Sequence, residues 1–275
     1  MKIAYQGIPG SYSESCAKTN YPDCETISCK TFDECFEIAS TDTDIKTIIP
    51  ESNKTTGNIG IEYLIFKFRL NIYAEHFYKI SHNLLGVKGS KIDDIKEVYS
   101  HAQALSQSSI FIKKNQIIGQ VRADTAGSAK YISENNDKSK AAIASNLSAE
   151  IYNLDVIEKD IQDNKENFTR FLLMGKDIMQ SENDNKSYIT SFLFKLKSKP
   201  AALYSALQGM AINGVNMIKL QSFPEKNSFS SYFFLCEVEG HLNQQKIKNS
   251  LEDLNYHCED MSVLGVFEAD KLRKK

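Results

Sequence analysis

The chain has 275 residues, of which 41% are hydrophobic and 10% aromatic, and 33 Lys+Arg against 35 Asp+Glu give a formal net charge of -2. This composition excludes a disordered chain, and the length is enough for two domains of on the order of 100 to 200 residues each. The nearly balanced charge, without a basic stripe, argues against nucleic acid as a partner.

The N-terminal residues Met-Lys-Ile-Ala-Tyr-Gln-Gly lack the apolar core of a signal peptide. No apolar run reaches the ~18 to 20 residues that a membrane-spanning helix needs, so the sequence predicts a cytoplasmic protein. The six cysteines show neither a Cys-x-x-Cys pair nor the spacing of a zinc site. We therefore expect reduced, packed thiols and no bound metal.

One order of elements recurs through the first two thirds of the chain: a short apolar strand, small polar residues, then a helix-like stretch. It first appears at residues 2–6, which run into Gly-Ile-Pro-Gly-Ser-Tyr-Ser at residues 7–13. That turn either holds an anion at a helix start or is only a tight turn with a serine cap. The same order follows at residues 46–53, 97–105, 119–128 and 141–148.

This alternation predicts an α/β domain with a largely parallel sheet, in which ligands bind beyond the carboxyl ends of the strands. Residues 71–82 alternate like one long strand, which we interpret as crossing between two lobes. Of the five histidines, only His101 lies at a strand end of the recurring kind, and its spacing supports a catalytic and a packed or solvent-facing role equally. His82 ends the alternating run, and the others have no polar neighbours in sequence: His76, His241 and His257.

The pattern changes after residues 176–186, a polar stretch without periodicity that is typical of a linker. Strand patterns then occupy residues 188–196, 215–222, 231–238 and 257–267. One helix pattern begins at Pro200 and ends at Asn213-Gly214, and a second carries Ile247, Leu251 and Leu254. The order β-α-β-β-α-β predicts a ferredoxin-like domain.

A candidate reaction site lies just before that linker, at Asn-Phe-Thr-Arg-Phe, residues 167–171. The Thr169 hydroxyl offers one proton donor, and the Arg170 guanidinium can hold a carboxylate with two hydrogen bonds. The other interpretation is that Arg170 pairs with a surface carboxylate while the phenylalanines fill the core. Taken alone, the five residues favour this second interpretation.

Together these motifs resemble the prephenate dehydratase family with its C-terminal ACT regulatory domain. The resemblance covers nearly the whole chain and rests on residues 7–13, 99–105, 124–129, 142–145 and, most specifically, 167–171, which match the family's Asn-x-Thr-Arg-Phe. It implies an α/β fold with a two-lobed, periplasmic-binding-protein-like catalytic domain followed by a ferredoxin-like βαββαβ ACT domain. The expected boundaries are 1–180 for the catalytic domain, 181–187 for the linker and 188–275 for the ACT domain.

The activity that the resemblance implies is the decarboxylating dehydration of prephenate to phenylpyruvate in L-phenylalanine biosynthesis, without a metal or cofactor. It assigns to Thr169 the hydrogen bond to the leaving hydroxyl. It also implies a set of substrate-binding residues: Ser11, Asn53, Ser100, His101, Gln103, Thr125, Ala126, Ser145, Arg170 and Phe171.

The chain departs from the family pattern in two places. At residues 50–57 the family reads Pro-x-Glu-Asn-Ser-x-x-Gly, and here Ser52 and Lys54 replace the acid and the serine. In the ACT part Ala201 stands for a glycine, and Phe223 for the arginine of Glu-Ser-Arg-Pro. The implied allosteric residues are Ala201, Leu203, Asn216, Gln221 and Ser222, and these departures leave open whether phenylalanine, the family's effector, inhibits this chain.

We expect side-by-side association of ACT domains, because their strands leave an edge to pair; the sequence does not decide between a homodimer and a homotetramer. Three alternatives stay open. Arogenate dehydratase performs the same elimination on the amino-acid form of the substrate. A two-lobed sensor of small acids or amino acids would retain binding without catalysis. An unrelated α/β domain with a ferredoxin-like tail fits the periodicity but leaves the five motifs unexplained.

Overall fold

The computed structural model of the protein describes residues 1–178, 184, 186–225, 228 and 231–274. By its contacts the chain forms two compact units. The first unit comprises Met1–Cys35, Ile48–Ile59 and His76–Phe171, and the second comprises Phe36–Thr47, Gly60–Glu75 and Leu172–Lys275. The predicted linker, 181–187, lies mostly outside the described residues, so the predicted domain boundaries stay predictions.

The strands are β1 (Lys2–Gln6), β2 (Glu25–Cys29), β3 (Ile45–Asn53), β4 (Gly57–Asn58), β5 (Asn71–Lys79), β6 (Asn83–Gly86), β7 (Glu97–Ser100), β8 (Ile118–Val121), β9 (Lys140–Ala144), β10 (Asp155–Glu158), β11 (Phe168–Gly175), β12 (Tyr188–Leu196), β13 (Met217–Pro224), β14 (Tyr232–Glu239) and β15 (Cys258–Glu268).

The α-helices are α1 (Tyr12–Asn20), α2 (Phe32–Thr41), α3 (Glu62–Phe68), α4 (Ala102–Gln107), α5 (Ser109–Lys114), α6 (Thr125–Asn135), α7 (Asn146–Ile151), α8 (Ala202–Ile212) and α9 (Gln245–Tyr256). Two 3₁₀ helices span Ile92–Asp94 and Lys271–Lys274. Ser11, Asp124 and Ser145 cap α1, α6 and α7, each by accepting a hydrogen bond from a backbone N–H of the first turn. No helix in the described ranges is long and apolar enough to cross a membrane.

The first sheet has the strand order β2-β1-β3-β11-β5, with β4 paired to β3. Strand β1 runs parallel to β2, and its residues Ile3, Ala4 and Tyr5 are buried. Within residues 46–53 the recurring order placed small polar residues after a short apolar strand, but β3 continues through them to Asn53. Glu51 and Asn53 near its end are buried and hydrogen-bonded to other residues of the protein, which lets the strand continue past the apolar run.

The second sheet has the order β10-β6-β9-β7-β8. Strand β7 pairs in parallel with β8 and β9, whereas β6 pairs antiparallel with β9 and β10, so this sheet is mixed and the expectation of a largely parallel sheet is wrong here. Successive residues of β9 face opposite sides: Ala141 and Ile143 join one apolar cluster, and Ala142 and Ala144 join another. A strand buried on both faces explains its uninterrupted apolar sequence.

Two adjacent segments connect these sheets, residues 80–82 after β5 and residues 159–167 before β11. The Ile80 N–H donates to the Asn167 carbonyl at 2.8 Å, and the Ile161 N–H donates to the His82 carbonyl at 2.8 Å. The predicted long strand therefore ends at Lys79, and the chain crosses to the second sheet in the next three residues. The first unit thus carries two lobes joined by a pair of hydrogen-bonded crossings.

The third sheet lies in the second unit and has the order β13-β14-β12-β15 with antiparallel pairing throughout. Helices α8 and α9 follow β12 and β14, which gives the predicted βαββαβ ferredoxin-like arrangement. Ile247, Leu251 and Leu254 of α9 are buried in its core, as their helical spacing predicted.

Candidate active site

The candidate site is a cavity of about 750 Å³ within the first unit, bordered by the starts of α1, α4 and α6. Helix starts present N–H groups that intrahelical bonding leaves free, so this border suits an anionic ligand. Several of the residues implied by the sequence lie together on its wall: Ser11, Asn53, His101, Gln103, Thr125, Thr169 and Phe171.

Four other predicted site residues are not on that wall and have structural partners instead. The Ser100 hydroxyl donates to the Ile143 carbonyl at 2.6 Å, which ties β7 to β9. The Ser145 hydroxyl caps α7 and donates to the Gly10 carbonyl at 2.6 Å. Ala126 is buried in the first turn of α6. The fourth residue is Arg170.

Arg170 is buried, and its Nη1 lies 3.2 Å from Oε2 of Glu51, which is also buried. Arg170 does not line the cavity. Its guanidinium pairs with a carboxylate of the protein. A buried pair of this kind needs both partners, because removing either one leaves the other charge in a poorly hydrated place. The role of Arg170 as a holder of the substrate's carboxylate stays a prediction.

The altered block at residues 50–57 keeps Asn53 at the cavity wall, together with Pro50 and Thr56. The two departures lie elsewhere. The Ser52 hydroxyl donates to Oε2 of Glu51 at 2.7 Å, and the exposed Lys54 ammonium lies 3.6 Å from the Glu166 carboxylate. Neither side chain lines the cavity. The altered block therefore still presents the Asn53 amide to Thr169.

The orientation of the Asn53 amide determines what the Thr169 hydroxyl can do. The backbone N–H groups of Thr55 and Thr56 donate to Asn53 Oδ1 at 2.9 and 3.1 Å. Since a backbone N–H can only donate, Asn53 Nδ2 must face the other way, where it donates to Thr169 Oγ1 at 2.9 Å. In the described part of the chain no acceptor takes the Thr169 hydroxyl proton, so it is free for a ligand in the cavity.

Two further predicted residues, His101 and Gln103, lie on the cavity wall at the start of α4. Gln103 Nε2 donates to Thr56 Oγ1 at 3.0 Å, joining the first turn of α4 to the residues after β3. His101 caps α4, where its Nδ1 accepts from the Gln103 N–H at 3.3 Å, and its ring is exposed. A capping ring with one nitrogen occupied can use the other nitrogen toward a ligand.

Sequence reasoning missed a second group of cavity residues: Tyr12, His82 and Gln107. His82 Nδ1 lies 2.7 Å from the Tyr12 hydroxyl, and Nε2 lies 2.9 Å from Gln107 Oε1. Burial lowers the pKa of His82 below its ordinary value, an effect that the hydrogen bond with Gln107 opposes. Burial also holds the pKa of the Tyr12 phenol well above its usual range, so that phenol keeps its proton. Only the tertiary fold brings these three residues together; their sequence spacing carries no such signal.

Charge at the cavity wall comes from a lysine and an aspartate. Lys30 follows β2 and is exposed at the wall. Its backbone N–H donates to the Glu34 carboxylate at 2.6 Å, and in the described ranges no carboxylate lies within ion-pair distance of its ammonium. Asp124 caps α6 by accepting from the Gly127 N–H at 2.5 Å. No group of three or more His, Cys, Asp or Glu residues in the described part of the chain could hold a metal ion.

The predicted allosteric residues lie in the ferredoxin-like part. Ala201 precedes α8 with φ at +58°, in the left-handed region that favours glycine. Alanine in place of the family's glycine therefore carries local backbone strain. Leu203 packs against the core of that part, and Asn216 Nδ2 donates to Glu239 Oε2 at 2.7 Å. Gln221 and Ser222 lie in β13, next to Phe223.

The fold and cavity define a two-lobed α/β protein with a small-ligand site and a ferredoxin-like domain after it. The family model for prephenate dehydratase matches residues 3–179, and the chain belongs to this family. Arogenate dehydratase 2 of Petunia hybrida is 35% identical over 98% of this chain and 72% of its own length. The bifunctional N-acyl-homoserine lactone acylase/prephenate dehydratase of Komagataeibacter europaeus is 32% identical over 99% of this chain and 98% of its own.

Among solved structures, the prephenate dehydratase of Arthrobacter aurescens in complex with L-Phe is similar with a TM-score of 0.86. It is 23% identical, and the match covers 98% of this chain and 90% of that one. At this identity the likeness bears on the fold, and it includes the ferredoxin-like part as well as the two lobes, because nearly the whole chain is covered.

Proposed function

We propose that the protein catalyses the decarboxylating dehydration of prephenate to phenylpyruvate in L-phenylalanine biosynthesis, with Thr169 donating a hydrogen bond to the leaving hydroxyl. The single observation that supports this role most is the free proton of Thr169: Asn53 donates to its oxygen, and its own O–H faces no protein acceptor among the described residues. A donor held in this way meets the requirement of a departing hydroxide.

The reaction removes the ring carboxylate as CO₂ and the ring hydroxyl as water, with uptake of one proton by the hydroxyl. Aromatisation supplies most of the driving force, so the enzyme has to orient a dianion and assist the departure of hydroxide. A threonine hydroxyl is a weak acid, and we infer that it passes on a proton from water or another side chain. The other wall residues are proposed to hold the substrate: Ser11, Asn53, His101, Gln103, Thr125 and Phe171.

Replacement of Thr169 tests this role. In Thr169→Ala, kcat for prephenate should fall by the ~10²- to 10⁴-fold that a positioned proton donor is typically worth, while substrate affinity changes little. Thr169→Ser keeps the hydroxyl and should retain most of the turnover. The matched control is Thr190→Ala, which removes a buried threonine hydroxyl bound to the Gly240 carbonyl in the second unit. Turnover in Thr169→Ala equal to that of the unmodified enzyme would remove Thr169 from the mechanism.

Arogenate is the second candidate substrate, favoured by the similarity to the Petunia arogenate dehydratase. The two molecules differ in the side chain. Arogenate carries an amino acid there, with an ammonium group and a carboxylate, and prephenate carries a keto acid. Paired assays decide between them: the ratio of kcat/KM for prephenate over arogenate should exceed one if prephenate is the substrate. A sensor without catalysis would instead bind prephenate in calorimetry without forming phenylpyruvate.

For regulation, we propose that the ferredoxin-like part acts as an ACT domain that binds phenylalanine and associates with that of a second chain. The Arthrobacter relative was solved with L-Phe, which supports the effector, and strands β13 and β15 form the two edges of the sheet. The prephenate assay with and without phenylalanine tests the effector. Sedimentation at micromolar protein tests association, and a monomer there would contradict it.

We also propose that the protein is located in the cytoplasm. The six cysteines are free thiols in the structure, and all but Cys24 are buried. Thiols in this state suit a reducing compartment. Fractionation of cells that express the chain tests the placement.

A further inference from the structure

His82 lies where the chain crosses between the two sheets, and it is held there by its backbone. Its N–H donates to Gln162 Oε1 at 2.8 Å, and its carbonyl accepts from the Ile161 N–H at 2.8 Å. Its ring reaches Tyr12 of α1 on one side and Gln107 of α4 on the other. The imidazole therefore joins one helix of each lobe at the cavity wall.

The direction of every hydrogen bond from Thr169 to His82 follows from the backbone donors at Asn53. Because Asn53 Nδ2 must donate, Asn167 presents Oδ1 to it at 2.9 Å and turns Nδ2 away. Asn167 Nδ2 then donates to Gln107 Oε1 at 3.0 Å. Gln107 Oε1 is consequently an acceptor for His82 as well, at 2.9 Å, and only a protonated Nε2 can fill that position.

Resting on the proposed function, we propose that His82 is a positioning residue for the elimination. Its Nε2–H, together with Asn167 Nδ2, holds Gln107 in one amide orientation and so fixes the positions of Gln107 and Asn167, whose hydrogen bonds lead to Asn53 beside Thr169.

The orientation of Gln107 leaves one of its own buried groups unpaired. With Oε1 occupied by two donors, Gln107 Nε2 is buried and has no hydrogen-bond partner in the described part of the chain. An unpaired buried donor is costly, but rotation of the amide would turn Nε2 against the two donors, Asn167 Nδ2 and the His82 Nε2–H, that now hold the oxygen. The unpaired Nε2 is therefore the cost of the orientation in which Oε1 faces Asn167 and His82.

Tyr12 completes the arrangement from the other side of the ring. Its hydroxyl lies 2.9 Å from the Ser81 carbonyl and 2.7 Å from His82 Nδ1, and it has one proton for these two acceptors. With neutral His82, Tyr12 donates to Nδ1, which matches the tautomer that Gln107 requires. Loss of the Tyr12 hydroxyl should therefore cost less than loss of the imidazole, because Gln107 alone still selects Nε2–H.

The test compares kinetics of His82→Leu and His82→Gln in the full chain. His82→Leu should lower kcat by about 10- to 100-fold, the range for a misplaced catalytic group. His82→Gln, whose Nε2 can donate to Gln107 from nearly the same place, should recover most of it. In a Gln107→Leu background, adding His82→Leu should change kcat by less than about twofold, since the path through Gln107 is already broken. Full kcat in a folded His82→Leu, or equal losses in His82→Leu and His82→Gln, would overturn the proposal.

A second measurement does not depend on activity. In protein labelled with ¹⁵N-histidine, the resonance that His82→Gln removes should show a neutral ring protonated on Nε2 at pH 7.5. A ring protonated on Nδ1 would overturn the proposal even if His82→Leu fails to fold. If the unmodified enzyme turns over neither prephenate nor arogenate, the proposed function fails, and the ring tautomer still decides whether His82 holds Gln107 as described.

Discussion

At the scale of single residues, Lys30 is a cation on the cavity wall, whereas the role of Arg170 toward the substrate stays a prediction. Arg170 pairs with Glu51 inside the protein, whereas Lys30 lines the wall and its ammonium has no carboxylate within ion-pair distance in the described ranges. Lys30→Gln should raise KM for prephenate about fivefold, corresponding to the ~1 kcal/mol of one exposed charge interaction, and leave kcat nearly unchanged. Steady-state kinetics at low salt measures this.

The control for Lys30 is Lys54→Gln, which removes an exposed lysine that is paired with Glu166 and lies off the wall. It should leave KM as it is. Added salt should weaken prephenate binding by the unmodified enzyme more than by Lys30→Gln, because screening acts on the charge that the variant lacks. An unchanged KM in Lys30→Gln would mean that the substrate's carboxylates are held without Lys30.

The lowered pKa of His82 also predicts how the free energy of unfolding depends on pH. Its pKa in the folded protein is lowered by burial, whereas in the unfolded chain it is about 6.5. Below about pH 6.5 the unfolded chain therefore binds more protons at this residue, and the free energy of unfolding falls as the pH falls. The other titratable groups near the ring are Tyr12 and, through Gln162, Asp160. Asp160 has a pKa lowered by a hydrogen bond with Ser81, so it stays charged in this window.

Urea unfolding at pH 7.5 and pH 5.5 measures this dependence. His82→Gln should lose less stability between the two pH values than the unmodified protein, because glutamine does not titrate. Equal losses would show that His82 is not the group responsible.

The resemblance of the sequence motifs to the family named seven of the residues on the cavity wall, Thr169 among them. The orientation of Thr169 could not be predicted from the sequence. It depends on the backbone N–H groups that fix the Asn53 amide, and the hydrogen bonds beyond Asn53 lead to His82 and Gln107, which are 25 residues apart in sequence. Likewise the burial of Arg170 follows from Glu51, whose place in β3 the strand pattern did not reveal.

At the scale of elements, the turn between β1 and α1 depends on Gly10. Its φ is +92°, and a Cβ there would lie 2.6 Å from Ser148 Oγ and 3.0 Å from Ser148 Cα. Its carbonyl accepts from Ser145 and Ser148 of the second lobe, and its N–H donates to the buried Glu14 carboxylate at 2.7 Å. The sequence left open whether this glycine served an anion or a tight turn, and the structure shows close backbone packing there.

Gly10→Ala should lower the free energy of unfolding by about 2–3 kcal/mol, combining strain at positive φ with the steric conflict, and should raise KM because Ser11 shifts. The matched control is Gly57→Ala, where φ is +83° but a Cβ would meet nothing within 4 Å. It should cost only the ~1 kcal/mol of the backbone conformation. Chemical denaturation of both variants separates strain from crowding, and equal costs would refute the packing argument.

Element type was predictable from periodicity, while pairing was not. The alternation of strands and helices correctly indicated an α/β fold, but β6 and β10 pair antiparallel because each adjoins one of the two crossing segments. In the ferredoxin-like part pairing was predictable, because the order β-α-β-β-α-β leaves few compact arrangements.

At the scale of the whole molecule, the predicted boundary at residues 181–187 separates segments that share contacts in the second unit. Phe66 of α3 lies 4.1 Å from Phe233 of β14 between ring centroids, and the Arg69 guanidinium pairs with Asp260 of β15. Residues 60–75, assigned by sequence to the catalytic domain, thus pack with the ferredoxin-like part. A polar stretch in the sequence therefore does not by itself mark where packing ends.

The C-terminal 3₁₀ helix provides the sharpest test of that shared packing. Arg273 donates from Nε and Nη2 to the Glu75 carboxylate at 2.6 and 2.7 Å, and the Asp270 N–H donates to the same carboxylate at 3.0 Å. The Glu75 side chain is 0% exposed. A carboxylate buried to this degree depends strongly on a two-point cationic partner.

Arg273→Leu should therefore lower the free energy of unfolding by about 3–5 kcal/mol, as breaking a buried pair from one side does. The double variant Glu75→Gln/Arg273→Leu should recover part of this loss, because the buried charge is then gone. Lys271→Ala, in the same 3₁₀ helix but exposed, should change stability by less than about 0.5 kcal/mol.

By the same argument a chain ending at residue 180 should unfold at a lower temperature than the full chain, and Glu75→Gln should narrow that difference. If the shortened chain matched the full chain in thermal stability, the boundary at 181–187 would separate two independent folding units.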